Sequence, residues 1–352
     1  MLKRYLLLLL CVFTGQLLFA QEITEQLNNY LTKRKGKSTF NGTVIVVYKG
    51  ETLLHKGYGL SDVVHHLPVD TSTMFRIGSI TKPFTATAIL YLREKGKLSL
   101  NDPIAKYLPT YPHGNEITIT HLLTHSSGIQ DYLNTKEIQQ APDTAPPIAL
   151  NKLISYFKDA PLSMQPGKKF SYSNSNYILL AAIIEQITGT KFENFVRSII
   201  FEPLDMTRSG YDFLRLDSNQ KATGYMNISD AKPVIDFDST YAPGCGAMYS
   251  TASDLYKWYR GLMSGKVLKD STRESAFVPR QWKYGYGWFG YTLYGKRCIS
   301  HSGGVPGFYA NIQFFPDDDL FIGLVSNSSF GHIETDRIAS IVFQKKFKSS
   351  GL

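Results

Sequence analysis

Two apolar stretches, Gly42–Tyr48 and Thr52–Tyr58, flank the short polar step Lys49-Gly50-Glu51, a pattern that predicts a β-hairpin. A helix is expected before it, over Glu22–Thr32. From Thr81 to Lys95 the apolar residues Phe84, Ala88, Ile89 and Leu92 recur at helical spacing, and Gly96 stops the run. Pro83 is tolerable only in the first turn, so it fixes where this helix begins. A second strong helix, Tyr177–Thr188, is closed by Gly189. Between about Arg76 and Tyr241 the chain reads as helices and loops. Beyond Ala247 it turns to strands, expected at Tyr284–Tyr291, Lys296–His301, Phe308–Phe315 and Phe321–Ser326, before a last helix over Ile333–Phe347. The predicted fold is α+β. One antiparallel sheet is built from both ends of the chain, about 21–75 and 245–352, with a mostly helical region, about 76–244, inserted between them. Ser79 falls where the two parts meet, a common place for a pocket.

The 352 residues are enough for one large or two smaller domains with a full core, and no repeat or low-complexity tract interrupts them. Lys3-Arg4, an apolar stretch from Tyr5 to Phe19, and Ala20 read as a secretory leader cleaved after Ala20. A retained anchor is the alternative. Cys11 does not make a lipobox, because Leu9 and Leu10 precede it. No later segment is long and apolar enough to span a membrane. The chain carries a net charge of +9, two of these charges being Lys3 and Arg4. The remainder reads as a basic surface, with Lys33-Arg34-Lys35 and Lys345-Lys346 as solvated faces of terminal helices. Nothing points to nucleic-acid reading. Without the leader, Cys245 and Cys298 remain, either bridged, as an exported protein permits, or buried as thiols.

Three short pieces carry the chemistry: Ser79-Ile80-Thr81-Lys82, Tyr172-Ser173-Asn174 and His301-Ser302-Gly303. They supply a nucleophilic hydroxyl, an amine, a phenol, an amide and a glycine-opened strand, the parts of an acyl-transferring serine enzyme. Each pattern recurs elsewhere. Ser-x-x-Lys is also found at Ser155/Lys158, Ser218/Lys221 and Ser229/Lys232. Tyr-x-Asn recurs at Tyr132/Asn134, Tyr225/Asn227 and Tyr309/Asn311, and Lys283-Tyr284-Gly285 imitates the third piece. Context selects Ser79, which alone opens a convincing helix and so has Lys82 one turn away on the same face. Tyr172 and Asn174 are expected on an extended loop after Gln165–Lys169. His301 is expected to end a strand, with Gly303-Gly304 permitting close approach.

With these pieces the chain resembles the penicillin-recognising serine hydrolases: class C β-lactamases, serine DD-peptidases and related esterases. The resemblance runs from about Phe40 to Ser328. It includes Gly78–Ala86, Leu122-Leu123-Thr124-His125-Ser126-Ser127-Gly128, Pro166–Asn174, Gly244–Thr251 and His301-Ser302-Gly303-Gly304. It implies a β-lactamase/transpeptidase-like fold, Ser79 as the acylated nucleophile, Lys82 as its base and Tyr172 as the proton shuttle. Asn174, His301, Ser302 and Gly303 would contact substrate, and the backbone N–H groups of Ser79 and Gly304 would form the oxyanion hole.

Two departures bear on substrate. His301 stands where class C β-lactamases generally carry Lys, replacing a permanent cation by a group that titrates near neutrality. No Ser-Asp-Asn element is present, and Tyr172 takes that role. The implied protein is an exported serine hydrolase acting on peptides or amides, cell-wall D-Ala peptides among them, with DD-carboxypeptidase-like chemistry. Esterase and class C-type β-lactamase action are alternatives. A penicillin-binding sensor with little turnover is the reading from another class. No cofactor or metal is called for. His121 and His125, four apart, lack a third ligand, and His125 is expected to brace the turn ending at Gly128. Asp317-Asp318-Asp319 reads as a polar hairpin turn. Tyr241, Tyr286, Trp288, Phe308 and Tyr309 are aromatic candidates for the cleft, for which core packing is an equal explanation.

Overall fold

The computed structural model describes residues 21–32, 40–142, 145–329 and 335–351. The leader and Lys33-Arg34-Lys35 lie outside them. The main sheet has six antiparallel strands: β1 (Gly42–Tyr48), β2 (Glu51–Tyr58), β3 (Phe289–Leu293), β4 (Lys296–Val305), β5 (Phe308–Phe315) and β6 (Leu320–Ser326), in spatial order β2-β1-β6-β5-β4-β3. The first hairpin thus joins the last strands by pairing β1 with β6, from Gly42 opposite Ser326 to Tyr48 opposite Leu320.

Both faces of this sheet are covered, which is why β1 and β6 are buried along nearly their whole length. Val44, Val46, Ile322 and Leu324 face a core with Ile23, Leu27 and Leu31 of helix α1 (residues 21–32) and Ile338 and Val342 of the C-terminal helix Thr335–Val342. Ile45, Val47, Phe321 and Val325 face the larger core on the other side. There they meet the inserted region, whose two principal helices are α2 (Thr81–Glu94) and α3 (Asn174–Thr188). The entry and exit of that region are tied together, because Phe75–Arg76 pairs antiparallel with Tyr249–Ser250. Among the described residues no helix is long and apolar enough to cross a membrane.

Four boundaries differ from the sequence reading by three residues or more. The strand expected at Tyr284–Tyr291 begins only at Phe289. Alternating Tyr284, Tyr286 and Trp288 imitate strand periodicity, but Gly287, at φ +80°, brings this segment against Pro83 and Ala86 of α2. The strand expected to end at His301 runs on to Val305, since Ser302–Val305 pair with Asn311–Phe308. Helix α3 starts at Asn174 rather than Tyr177. Ser175 and Asn176 have low helix propensity, yet their side chains are held by Gln130, Tyr132, Ser127 and His125, and these long-range bonds override it. The last helix ends at Val342, followed by Gln344 at φ +51°, so Lys345 and Lys346 lie beyond it as exposed residues. The expected start at Ile333 lies outside the described residues.

Candidate active site

Ser79 sits in a single 3-10 turn, Gly78–Ile80, that runs directly into α2. Negative charge placed there would meet the positive end of a 14-residue helix. Strand β4 crosses this turn at backbone distance. A Cβ on Gly303 would land on the Ile77 carbonyl and 2.7 Å from Ser79 N, and one on Gly78 would lie 2.8 Å from Gly304 N. Gly303 therefore makes room for the backbone of the Ser79 turn rather than directly for substrate, which corrects the sequence reading. The contact packs the Gly303-Gly304 backbone directly against the Gly78-Ser79 backbone, and Ser79 and Gly304 both line the cleft.

Lys82 is fully buried, and its Nζ lies 2.9 Å from Ser79 Oγ. Nζ also donates to Asn174 Oδ1 at 2.7 Å and to the Cys245 carbonyl at 2.8 Å. Those two partners only accept. Three oxygens thus surround Nζ; an amine that kept its two N–H bonds on Asn174 Oδ1 and the Cys245 carbonyl would turn its lone pair to Ser79 Oγ. Asn174, in the first turn of α3, has its amide oriented by Asp131, whose Oδ2 accepts from Nδ2 at 2.8 Å. Its oxygen thus holds Lys82, leaving one N–H for a ligand.

Tyr172 faces Lys82 with its ring, 4.8 Å from Nζ to the centroid, and stacks on His125 at 4.2 Å. Among the described residues no hydrogen bond joins its hydroxyl to Ser79 or Lys82. His125 does not brace the Gly128 turn with its ring. It sits among Tyr172, Tyr177 and Tyr284, and its Nδ1 accepts from the Ser173 backbone N–H at 3.2 Å, bracing the approach to α3. His121 Nδ1 accepts from Thr118 N in the cap of the short helix Ile119–Leu123. Among the described residues no group of three or more His, Cys, Asp or Glu is placed to hold a metal.

His301 departs most from expectation. Its ring is buried beneath β4 while Ser302 is exposed. Nδ1–H donates to the Ser302 carbonyl at 2.7 Å, and Nε2 accepts from the Tyr284 hydroxyl at 3.0 Å. Burial, reinforced by electrostatic repulsion from nearby Lys82, pulls its pKa down to about 3. The ring is neutral throughout the physiological range and does not serve as a titrating cation for a substrate carboxylate. His125 is lowered in the same direction, again chiefly by burial. Unfolded imidazoles bind protons below pH ~6.5, whereas these rings do so only far lower, so both make stability fall as pH drops through that window. His301→Gln is expected to reduce the slope of stability against pH between pH 6.5 and 4, read from urea midpoints, by up to ~1.4 kcal/mol per pH unit. An unchanged slope would show that the ring is already charged in the folded protein.

The cleft in front of Ser79 encloses about 400 Å³ and is lined by Tyr132, Leu133, Ile138, Ile235, Phe237, Tyr241 and Val305, with Asn174 and Gly304 at its inner end. Of the aromatic candidates only Tyr241 lines it. Tyr286, Trp288 and Phe308 pack in the larger core, and Tyr309 packs against the core on the other side of the sheet. Asp238 is the charged residue among the described lining, and no Lys, Arg or His joins it. The outer wall is fixed by buried Arg76, which donates to Asp236 Oδ1 and the Phe237 carbonyl, both at 2.6 Å. Cys245 and Cys298 are free, buried thiols in separate cores, and burial pushes Cys245 up to about 11.

Asp131, the Cys245 carbonyl, Arg76 and Tyr284 went unread in the sequence as parts of this site. Asp131 lies just three residues past Gly128 of the recognised motif, and Tyr284 belongs to the imitation Lys-Tyr-Gly triplet. The sequence model of the Beta-lactamase family matches residues 27–343. The chain belongs to the beta-lactamase family. It is 34% identical over 306 residues to a putative penicillin-binding protein, PbpX, of Bacillus subtilis, covering 86% of this chain and 73% of that protein. It is 30% identical over 305 residues to protein flp of Staphylococcus aureus, spanning 59% of that longer protein. Among solved structures it matches a penicillin-binding protein of Bacillus halodurans at TM-score 0.75 and 27% identity, covering 92% of this chain and 97% of that one. An octameric penicillin-binding protein homologue from Pyrococcus abyssi matches at TM-score 0.78 and 27% identity, over 93% and 78% of the respective chains. The β-lactamase/transpeptidase fold is thereby shown.

Proposed function

We propose that this family member is an exported serine hydrolase that forms an acyl-enzyme at Ser79 with peptide or amide substrates whose acyl side is apolar and whose leaving group carries no carboxylate. The observation that carries the reading is the place of Lys82 Nζ, 2.9 Å from Ser79 Oγ and held there by Asn174 Oδ1 and the Cys245 carbonyl. Lys82 takes the hydroxyl proton as Oγ attacks the carbonyl carbon, and the resulting oxyanion lies between Ser79 N–H and Gly304 N–H. Tyr172 passes a proton to the departing amine, and water then cleaves the ester. Hydrophobic walls suit an apolar acyl group. A DD-carboxypeptidase would need a cation for the terminal carboxylate. Neutral His301 and the absence of a basic residue among the described lining weigh toward amides or internal peptide bonds.

The test compares kcat/KM on N-acyl-D-Ala-D-Ala, its C-terminal amide, and amides and activated esters with small or bulky apolar acyl groups. The amide form and the bulky acyl groups are expected to be preferred. Preference for the free carboxylate would restore carboxypeptidase chemistry. A lasting penicillin adduct with no turnover of any substrate would favour the sensor reading.

A further inference from the structure

We infer that Asp131 is a positioning residue for the acylation step: its carboxylate fixes which end of the Asn174 amide faces Lys82, and thereby where the Lys82 lone pair points. This rests on the reading that Lys82 activates Ser79. Asp131 Oδ2 accepts from Asn174 Nδ2 at 2.8 Å and from Asn174 backbone N at 3.0 Å, and Oδ1 accepts from Leu133 N at 3.0 Å. Among the described residues no cation pairs with Asp131, and its hydrogen bonds all come from N–H donors. An ionised carboxylate is acceptor-only, so the amide nitrogen of Asn174 must face it and the oxygen must face Lys82.

The consequence lies one step further along the chain. If the amide turned over, Nδ2 would donate toward Lys82 and compete for the lone pair that should receive the Ser79 proton. Of the two acceptors that orient Nζ, the Cys245 carbonyl is held by the backbone of its segment. Asn174 is a side-chain amide whose two ends have nearly the same shape, so its orientation depends on what lies beyond it. Asp131 is that group, 43 residues away in sequence.

Asp131→Asn keeps the shape but presents either an oxygen or a nitrogen, so it releases this constraint. The rate constant for acylation by an activated ester, read as the burst of released alcohol, is expected to fall roughly 10- to 100-fold. The ester concentration giving half the maximal rate should stay near that of the wild type. Because Asp131 acts through Asn174, the same change made in an Asn174→Ala background should cost much less, a coupling that a purely structural role would not produce. Equal losses in both backgrounds, or wild-type acylation by Asp131→Asn, would overturn the inference. Should Asp131→Asn fail to fold, Asp131→Glu carries the test: its carboxylate is expected to keep most of the rate, and a loss that is the same with and without Asn174 would overturn the role. A wild-type protein that forms no acyl adduct at all would instead sink the acyl-enzyme reading itself.

Discussion

Lys82→Met is expected to slow acylation of Ser79 by ~10²–10⁴-fold, the range typical of losing a positioned general base. Methionine has a similar length and no lone pair basic enough to receive a proton. The loss should appear in the burst rate constant rather than in substrate affinity, because Lys82 lies beneath Ser79 and does not line the cleft. The substitution also removes the donor to Asn174 Oδ1 and the Cys245 carbonyl, which costs about 1–3 kcal/mol of stability. That is too little to unfold a domain whose α2 helix is anchored by Phe84, Ala88 and Ile89 in the larger core. Stopped-flow acylation on protein verified as folded by circular dichroism separates the two effects. Acylation within threefold of the wild type would remove Lys82 from the chemistry.

Gly303→Ala is the second large effect. The added methyl lands on the Ile77 carbonyl and 2.7 Å from Ser79 N, and neither neighbour is a flexible side chain. Either β4 or the Ser79 turn must move, and each carries one N–H of the proposed oxyanion site. Acylation is expected to fall ~10²–10³-fold, as when an oxyanion donor is lost. Overpacking should also lower stability by about 1–3 kcal/mol. Gly304→Ala is the comparison for stability, since nothing lies within 4 Å of its added Cβ and its melting temperature should match the wild type. A Gly303→Ala protein with wild-type rate and melting temperature would show that strand and nucleophile turn are not locked together.

What the sequence disclosed and what it concealed divide along sequence separation. The hairpin and the later strands were visible because a sheet covered on both faces writes long apolar runs, as in Val44–Val47 and Phe321–Val325. Ser79 and Lys82 were visible because residues three apart on one helical face meet without help from the rest of the fold. The partners that orient Lys82 come from 92 and 163 residues away, and no local pattern announces them. His301 shows a subtler limit. The strand was legible, but the choice of face was not, and a shift of one residue decides whether the imidazole or the Ser302 hydroxyl meets solvent. The start of α3 was missed for a related reason, since Ser175 and Asn176 are helical through tertiary hydrogen bonds that propensity does not contain.

Intact mass followed by peptide mapping of the wild-type protein, quenched during reaction with an activated acyl ester and, separately, with a penicillin, tests the acyl-enzyme most directly. The expected result is a single added acyl group on the peptide containing Ser79, formed with at least one of the two reagents and absent from Ser79→Ala. An adduct on another residue, an adduct that persists in Ser79→Ala, or no adduct with either reagent would contradict Ser79 as the nucleophile.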